Sequence, residues 1–169
     1  MTIPVALTIT DITDALVFIL PAYCTNAAPV IFGGGRPIDG GRRFLDGQPI
    51  LGAHKTVRGA AAGLTIGTLV SLIQSVLLQY SFVLGLVTSI GAVLGDLAKS
   101  FFKRRLRIPP GSPFPVADQL DFVLGAILMS LLVSPPPLKT VMILLVLTPI
   151  LHVLTNCGAY LLGLKKTMW

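Results

Sequence analysis

The sequence contains no glutamate, and charged residues make up only 12% of its 169 residues. A soluble domain carries about twice that share, so the composition excludes an ordinary water-soluble fold. The two cysteines, Cys24 and Cys157, fall in apolar stretches without metal-binding or redox spacing, which favours packing roles. The N-terminus lacks the basic segment of a cleavable signal peptide. We therefore expect the first apolar stretch to be retained as a helix.

Apolar stretches are what the sequence does contain, and they predict an all-α, polytopic membrane helix bundle. A helix needs about 20 apolar residues to cross the hydrocarbon layer. About five transmembrane helices are predicted, at residues 12–32, 57–79, 82–102, 120–133 and 138–162. We expect one integral membrane domain over residues 1–169, with hydrophilic loops at about 33–56 and 103–117.

The distribution of lysine and arginine predicts the orientation of the bundle. With five crossings, the two long loops and the C-terminal tail share one face, which carries 12 of the 13 Lys and Arg residues; Lys139 lies opposite. Lys and Arg are in excess on the cytoplasmic side of membrane proteins. We therefore expect the N-terminus outside the cell membrane and the C-terminus inside. In so apolar a chain, the net charge of +6 indicates anionic headgroups or substrates rather than nucleic acid.

Glycines recur every four residues in two of the predicted helices. They are Gly59, Gly63 and Gly67 in the second helix, and Gly91 and Gly95 in the third. Small residues at this spacing allow helix backbones to approach closely. We interpret them as packing positions rather than as a nucleotide-binding loop.

An ionisable cluster lies at the end of the third predicted helix. Asp96, Lys99, Ser100 and Lys103 share one helical face, and Arg104 follows. An aspartate about two turns inside the membrane is costly, which makes Asp96 a functional candidate. The alternative is an internal ion pair between Asp96 and Lys99.

Two carboxylates three residues apart head the fourth predicted helix. Asp118 and Asp121 share one helical face. Mg²⁺ prefers one or two carboxylates together with phosphate oxygens and water, so this pair predicts a magnesium site. The alternative is capping of the helix by Asp118, with Asp121 in the first turn.

The end of the first long loop has the character of a phosphate-binding segment. Gly52 precedes a Lys55-Thr56 pair at the predicted start of the second helix, and Arg58 lies inside that helix. Backbone N–H groups at a helix N-terminus favour anions. Asp46, earlier in the loop, is a further candidate. The alternative for Lys55 and Arg58 is anchoring at the membrane interface.

Polar side chains inside the predicted helices are weaker candidates for substrate contact. Asn26 lies in the first helix, and Asn156 lies one turn after His152 in the fifth. Such residues usually form hydrogen bonds between helices, so both readings stay open.

Together, the cations suit a polyphosphate and the aspartates suit Mg²⁺ that bridges its phosphates. Phosphoryl or nucleotidyl transfer needs charge neutralisation, positioning and an in-line path. A site at membrane depth indicates a lipid acceptor.

At these residues the sequence resembles the archaeal CDP-archaeol synthases, along its whole length. The resemblance is carried by Asp96-x-x-Lys99-Ser100-x-x-Lys103-Arg104-Arg105, Pro110-Gly111, Asp118-Gln119-x-Asp121 and Gly52-x-x-Lys55-Thr56-x-Arg58-Gly59. That family is similar to the phosphatidate cytidylyltransferases. Gln119 stands where their signature has arginine, and this chain is much shorter, which favours the archaeal branch.

The resemblance implies a Mg²⁺-dependent transfer of the cytidylyl group from CTP to digeranylgeranylglyceryl phosphate, with CDP-archaeol and pyrophosphate as products. It also implies roles for the residues. Asp118, Asp121 and Asp96 would hold the metal, and Lys99 would act in catalysis. The cations Lys99, Lys103, Arg104, Lys55 and Arg58 would bind the phosphates. A CDP-lipid phosphotransferase is a distant alternative, because its longer Asp-Gly motif is absent. The non-enzymatic alternative is a small transporter or an assembly partner.

Overall fold

The computed structural model describes residues 7–109, 112–114 and 116–163, which form five α-helices. They are α1 (Ile9–Phe32), α2 (Val57–Leu77), α3 (Phe82–Arg105), α4 (Ala117–Ser130) and α5 (Leu138–Leu161). The predicted all-α bundle is confirmed, and every predicted helix end lies within three residues of the observed one. Pro110 and Gly111, which carry part of the resemblance, and Lys165 and Lys166, the two cations of the C-terminal tail, lie outside the described residues.

Four of the five helices, α1, α2, α3 and α5, are long and apolar enough to cross a membrane. Helix α4 has 14 residues, so it is about 21 Å long and shorter than the roughly 30 Å hydrocarbon layer. Its first turn lies beside Lys99 and Lys103 of α3, whereas α5 begins where Lys139 pairs with Asp11 of α1 at 2.5 Å. The chain therefore passes from one end of the bundle to the other along α4 and the turn that follows it. This is a multi-pass membrane protein. Its fourth helix starts beside residues 99 and 103 of α3, about one turn before α3 ends.

The first three helices begin at side-chain caps. Thr8, Thr56 and Ser81 are the N-caps, and each hydroxyl accepts a hydrogen bond from a backbone N–H in the following turn. Such a bond satisfies one of the N–H groups that a helix start leaves without a partner. Helix α4 begins differently, because its N-cap, Val116, makes no side-chain cap and has a φ of +67°. A β-branched residue in this region is strained, so contacts around α4 must impose the position of its start.

Helices α3 and α4 are in backbone contact through glycine. A Cβ atom at Gly91 would clash with the carbonyl oxygen of Gly125, and one at Gly95 would clash with the carbonyl oxygen of Asp121. The structure confirms the packing role predicted for the α3 glycines. The close approach fixes the position of Asp121 relative to α3.

The glycines of α2 serve the contacts with α1 and α3. A Cβ atom at Gly63 would lie 2.7 Å from the carbonyl oxygen of Thr25, and one at Gly67 would clash with the side chains of Thr25 and Ser89. The predicted packing role is confirmed here too. Helix α2 is thereby held against both neighbours along its length.

The middle of the bundle is filled by side chains from α1, α4 and α5. Ile19, Phe122 and Leu144 are fully buried there. The ring of Tyr23 packs on Phe122 with centroids 5.4 Å apart, and its hydroxyl forms a 2.8 Å hydrogen bond with Thr148. These contacts link α1 to both α4 and α5. The outward faces carry exposed Leu, Ile and Val side chains, as expected for surfaces that contact lipid.

Residues 33–56 form a loop that is organised by Asp39, a residue that the sequence argument did not single out. Its carboxylate accepts hydrogen bonds from the backbone N–H groups of Gly41, Leu51 and Gly52 at 2.8 to 3.0 Å. Burial acts to raise the pKa of Asp39, but these donated hydrogen bonds outweigh it and hold the pKa below its ordinary value. The ionised carboxylate therefore stabilises the loop.

We expect this loop to resist mild acid. A folded-state pKa below the unfolded value gives stability that is present above about pH 4, the ordinary aspartate pKa, and is lost as the pH falls through the folded value. Hydrogen-exchange protection factors of Leu51 and Gly52 should therefore stay constant from pH 7 to pH 5 and fall at lower pH. Asp39→Asn should lower protection already at pH 7. Loss of protection between pH 7 and pH 5 in the unaltered protein would contradict this account.

Arg105, at the last position of α3, fastens the loop to the bundle. Its guanidinium carbon lies 4.7 Å from the ring centroids of both Phe44 and Phe101. It also donates to the carbonyl oxygen of Pro49 at 2.6 Å and pairs with Asp46 at 2.9 Å. Loop 33–56 is thus held over the end of α3.

Candidate active site

A cavity of about 970 Å³ opens at the end of the bundle where α2 begins and α3 ends. Its wall carries charged residues from three places. They are Lys55, which precedes the N-cap of α2, Asp96, Lys99 and Lys103 of α3, and Asp118 of α4. Helices α1 and α5 line the cavity with no Lys, Arg or Asp. The cavity therefore has one charged side and one largely apolar side.

Lys99 lies at the point where the three predicted aspartates converge. Its Nζ atom is 2.6 Å from Asp121 Oδ2, 3.1 Å from Asp118 Oδ1 and 3.3 Å from Asp96 Oδ1. The Asp96–Lys99 ion pair, which was the structural alternative for these residues, is present. It is one part of a larger network that also includes both aspartates of α4.

Two more lysines extend the network on either side. Lys55 Nζ lies 2.7 and 2.6 Å from the two carboxylate oxygens of Asp96. Lys103 Nζ lies 3.2 and 3.1 Å from those of Asp118, and it donates to the carbonyl oxygen of Ser112 at 2.8 Å. Three ammonium groups and three carboxylates thus alternate. The formal charge of this Lys–Asp network is zero.

The local sequence explains how these groups meet. On α3, residues 96, 99 and 103 follow the spacing of one helical face, and the glycine contact holds Asp121 against that helix. Asp118 accepts a 2.7 Å hydrogen bond from the backbone N–H of Phe114, which fixes the carboxylate at the start of α4. Asp118 is not the N-cap of α4, which is Val116, so the capping alternative for Asp118 is wrong.

The start of α2 forms the next part of the cavity wall. Thr56 caps the helix and lines the cavity together with Lys55, Gly59 and Ala60. An N-terminal helix end with a lysine beside it favours an anion. The predicted phosphate-binding segment therefore faces the same cavity as the aspartates. Arg58 is exposed and does not line it.

Four further predicted site residues, Ser100, Arg104, Gly52 and Asp46, lie behind or beyond the cavity wall. Ser100 donates to the carbonyl oxygen of Asp96 at 2.8 Å, and Arg104 is buried with its Cδ 3.9 Å from the Cβ position of Gly52. Asp46 pairs with Arg105 outside the cavity. None of these four residues lines it.

Asn26 of α1 and Asn156 of α5 both line the largely apolar side of the cavity. The side-chain amide nitrogen of Asn156 lies 3.3 Å from Nδ1 of His152 on the same helix. The structure thus places both asparagines where a substrate could be contacted, which was one of the two readings left open.

Sequence reasoning missed several polar groups in this cavity. Tyr23, Thr25 and Ser112 all line it, and Thr25 Oγ1 is buried without a hydrogen-bond partner in the described part of the chain. Thr25 adjoins Asn26 in the largely apolar second half of α1, and that pairing was a usable signal. Ser112 acts through its backbone carbonyl, which no sequence pattern marks.

Carboxylates of the network have the chemistry to bind a divalent cation, but a lysine lies among them. Oxygen ligands suit Mg²⁺, and each aspartate has an oxygen within 3.3 Å of one point. As they stand, no group of three or more His, Cys, Asp or Glu side chains within the described residues is arranged to hold a metal ion. The Lys99 ammonium occupies the point of convergence. The donor set fits a divalent ion, which would take the place of that ammonium.

The chain is similar in sequence to known proteins along most of its length. A family model described as "CarS-like: CDP-archaeol synthase" matches residues 8–169. The CDP-archaeol synthase of Methanocaldococcus jannaschii is 41% identical over 169 residues, which cover 92% of this chain and 96% of that protein. The CDP-archaeol synthase of Pyrococcus furiosus is 43% identical over 164 residues, which cover 94% and 98%.

A solved structure also matches the fold. It is described as an intramembrane enzyme for archaeal membrane lipids biosynthesis, and it aligns with a TM-score of 0.79 at 37% identity. The alignment covers 86% of this chain and 94% of the other. The likeness therefore extends over most of both chains.

Proposed function

The chain belongs to the CarS-like CDP-archaeol synthase family, and from that premise we propose that it transfers the cytidylyl group of CTP to the phosphate of an unsaturated archaeal lipid. The enzyme is a cytidylyltransferase. The products are CDP-archaeol and pyrophosphate. The observation that carries the proposal is the alternating Lys–Asp network on the wall of a cavity whose opposite side is formed by largely apolar parts of α1 and α5.

The charged side of the cavity suits a nucleoside triphosphate. Lys55, Lys99 and Lys103 line it, with the start of α2 beside them, and we assign the triphosphate and the lipid phosphate to these cations. Arg104, Ser100 and Gly52 lie behind this wall and support it. Arg58 adds positive charge to the surroundings of the cavity, and Asp46 adds a polar group. Neither residue contacts the substrates directly.

A divalent cation, which we propose to be Mg²⁺, would be held by Asp118 and Asp121 with Asp96 as a third ligand. It would supply neutralisation of the charge that builds on the phosphate oxygens and on the leaving pyrophosphate. Mg²⁺ characteristically binds one or two carboxylates together with substrate phosphates. The aspartates and the nucleotide would thus share the ion.

The chemical step needs little acid–base help from the protein. The lipid phosphate monoester is largely dianionic at neutral pH, since its second pKa is about 6. One of its oxygens attacks the α-phosphorus of CTP and forms a new P–O bond. The bond between the α-phosphorus and the oxygen that bridges it to the β-phosphate breaks, and pyrophosphate leaves. The residues around the cavity bind and orient the two phosphates for this in-line displacement.

The side formed by α1 and α5 suits the lipid. Val30, Ile31 and Leu151 lie there, and Asn26 and Asn156 add hydrogen-bonding groups among them. We assign the isoprenoid chains to this apolar side and the glycerol or ribose hydroxyls to the asparagines. The nucleotide and the lipid then enter one cavity from its two chemically different sides.

The transfer assay tests the proposal. Purified protein with Mg²⁺ and digeranylgeranylglyceryl phosphate should convert α-labelled CTP into a labelled lipid. An excess of unlabelled CTP should suppress this labelling more strongly than an equal excess of ATP, GTP or UTP. Absence of labelled lipid with every isoprenoid phosphate acceptor would refute the cytidylyltransferase proposal. Equal competition by all four nucleotides would refute the choice of CTP.

We further propose that the protein resides in the cell membrane with this cavity on the cytoplasmic side. Both cavity-side loops carry the basic residues, and such loops stay inside. Leu45→Cys is the informative label, because Leu45 is 97% exposed in loop 33–56. An impermeant thiol reagent should leave it unmodified in intact cells and label Ser134→Cys at the opposite end. The reverse pattern would overturn the orientation.

A further inference from the structure

Lys99 separates one aspartate of the network from the cavity. Lys99 lines the cavity, whereas Asp121 does not, and the Asp121 side chain is only 4% exposed. The Lys99 ammonium lies 2.6 Å from it. A cation that enters through the cavity therefore meets Lys99 before it meets Asp121.

The charges of the network oppose the entry of either ion alone. Lys55, Lys99 and Lys103 balance the three aspartates. A free divalent cation would add two positive charges beside three ammonium groups, and a free triphosphate would add its negative charges beside three carboxylates. Like charges brought together in a poorly solvated site repel strongly. When either ion arrives alone, the network groups of opposite charge are already paired with one another.

Both ions find partners when they arrive together. The cation takes the carboxylates that the lysines release, and the phosphates take the ammonium groups. Lysine suits this exchange because its ammonium is a compact charge on a flexible stem. Each lysine–aspartate pair that breaks is then replaced by a cation–aspartate contact and a lysine–phosphate contact.

We propose that Lys99 is an internal counter-ion, which holds the metal position in the resting enzyme and moves to the triphosphate when the nucleotide and the divalent cation bind together. The inference rests on the proposed function, since it takes a nucleoside triphosphate and a divalent cation as the ligands. It assigns Lys99 two successive anionic partners. It also makes the binding of metal and nucleotide cooperative, because each ion removes the repulsion that the other meets.

Lys99→Met tests the proposal without any turnover. Methionine has similar length and no charge, so the three carboxylates lose their shared ammonium. Mn²⁺ alone, titrated into detergent-purified full-length protein without nucleotide, should bind this variant about 10- to 100-fold more tightly than it binds the unaltered protein. Electron paramagnetic resonance of the remaining free Mn²⁺ measures the affinity directly.

Lys55→Met is the matched control. It removes the same charge from the same network, but in the structure Lys55 pairs with Asp96 and not with the aspartates of α4. It should raise Mn²⁺ affinity much less than Lys99→Met. An equal gain in Mn²⁺ affinity in both variants would show that loss of one positive charge anywhere in the network is enough. That result would overturn the proposal that Lys99 holds the metal position. No gain in Lys99→Met would overturn it as well.

Thermal unfolding provides a second readout, which also covers the case that Lys99→Met folds poorly. The midpoint of that variant should be lowered without metal and restored by Mg²⁺ alone. The unaltered protein should gain stability from Mg²⁺ with CTP but not from Mg²⁺ alone. An equal gain from Mg²⁺ alone would overturn the proposal. These outcomes are separate from lipid labelling, so failure of the exchange and failure of the cytidylyltransferase proposal are distinguishable.

Discussion

Asp121→Asn should lower the rate of cytidylyl transfer by about 1,000-fold, or roughly 4 kcal/mol of transition-state stabilisation. The carboxylate is nearly inaccessible, lies 2.6 Å from Lys99, and is the ligand that we place deepest in the metal site. Asparagine keeps the size of the side chain but removes its charge. The variant therefore loses a metal ligand and also changes the balance of the whole network. The measurement is the initial rate of label transfer from CTP to lipid at matched protein levels.

Asp14→Asn is the control for this substitution. Asp14 is exposed in α1, at the end of the bundle opposite the cavity. The same chemical change there should leave the rate within about twofold, since substitutions away from buried features have small effects. If Asp121→Asn kept more than a tenth of the activity while folding normally, Asp121 would have no place in the metal site.

Gly95→Val should destabilise the protein and impair catalysis together. A Cβ atom at Gly95 would clash with the carbonyl oxygen of Asp121 and lie 3.2 Å from Cα of Gly125. The obstacles are backbone atoms, so α4 must move away from α3. Overpacking costs about 1–3 kcal/mol or more, and we expect a thermal midpoint lower by about 5–10 °C. Displacement of the α4 aspartates by about 1 Å should also slow transfer by about 100-fold.

Gly158→Val is the matched control on α5, because no atom of the described residues outside its own stretch of helix lies within 4 Å of the Cβ position there. It should change neither the midpoint nor the rate appreciably. Thermal unfolding in detergent and the transfer assay measure both variants. Equal effects at the two glycines would show that helix propensity, and not the α3–α4 contact, controls the result.

Much of the fold was predictable, since apolar length alone locates membrane helices. The proline-containing turn before α5 and the short turn before α3 left little freedom in the helix boundaries. Spacing within a helix was equally informative. Residues 96, 99 and 103 share the predicted face, and Lys55 and Thr56 do lie at the start of α2 beside the cavity.

Interactions between distant segments were not predictable from spacing. Spacing brought the aspartates together and offered the Asp96–Lys99 pair, but it did not predict that Lys99 also contacts Asp118 and Asp121. Those contacts depend on how α4 packs against α3. Asp46 resembled a site residue only through its loop, and Arg105 holds it elsewhere. Asp39 escaped notice because its three partners are backbone N–H groups.

Arg58 shows how helical geometry decides membership of a site. Thr56, Gly59 and Ala60 line the cavity at positions i, i+3 and i+4. Arg58, two residues after the cap, is rotated away from that face by the period of 3.6 residues per turn. Closeness in sequence to the Lys-Thr pair was therefore a poor guide for this residue.

The fate of the two ends of the triphosphate tests the central claim most directly. CTP that carries one label on the α-phosphorus and another on the γ-phosphorus should be incubated with the purified enzyme, Mg²⁺ and the lipid phosphate. Attack on the α-phosphorus within the Lys–Asp network predicts that the α label enters the extracted lipid while the γ label appears solely in pyrophosphate. Recovery of the γ label in the lipid would contradict the account, because the enzyme would then transfer a phosphoryl group and not a cytidylyl group.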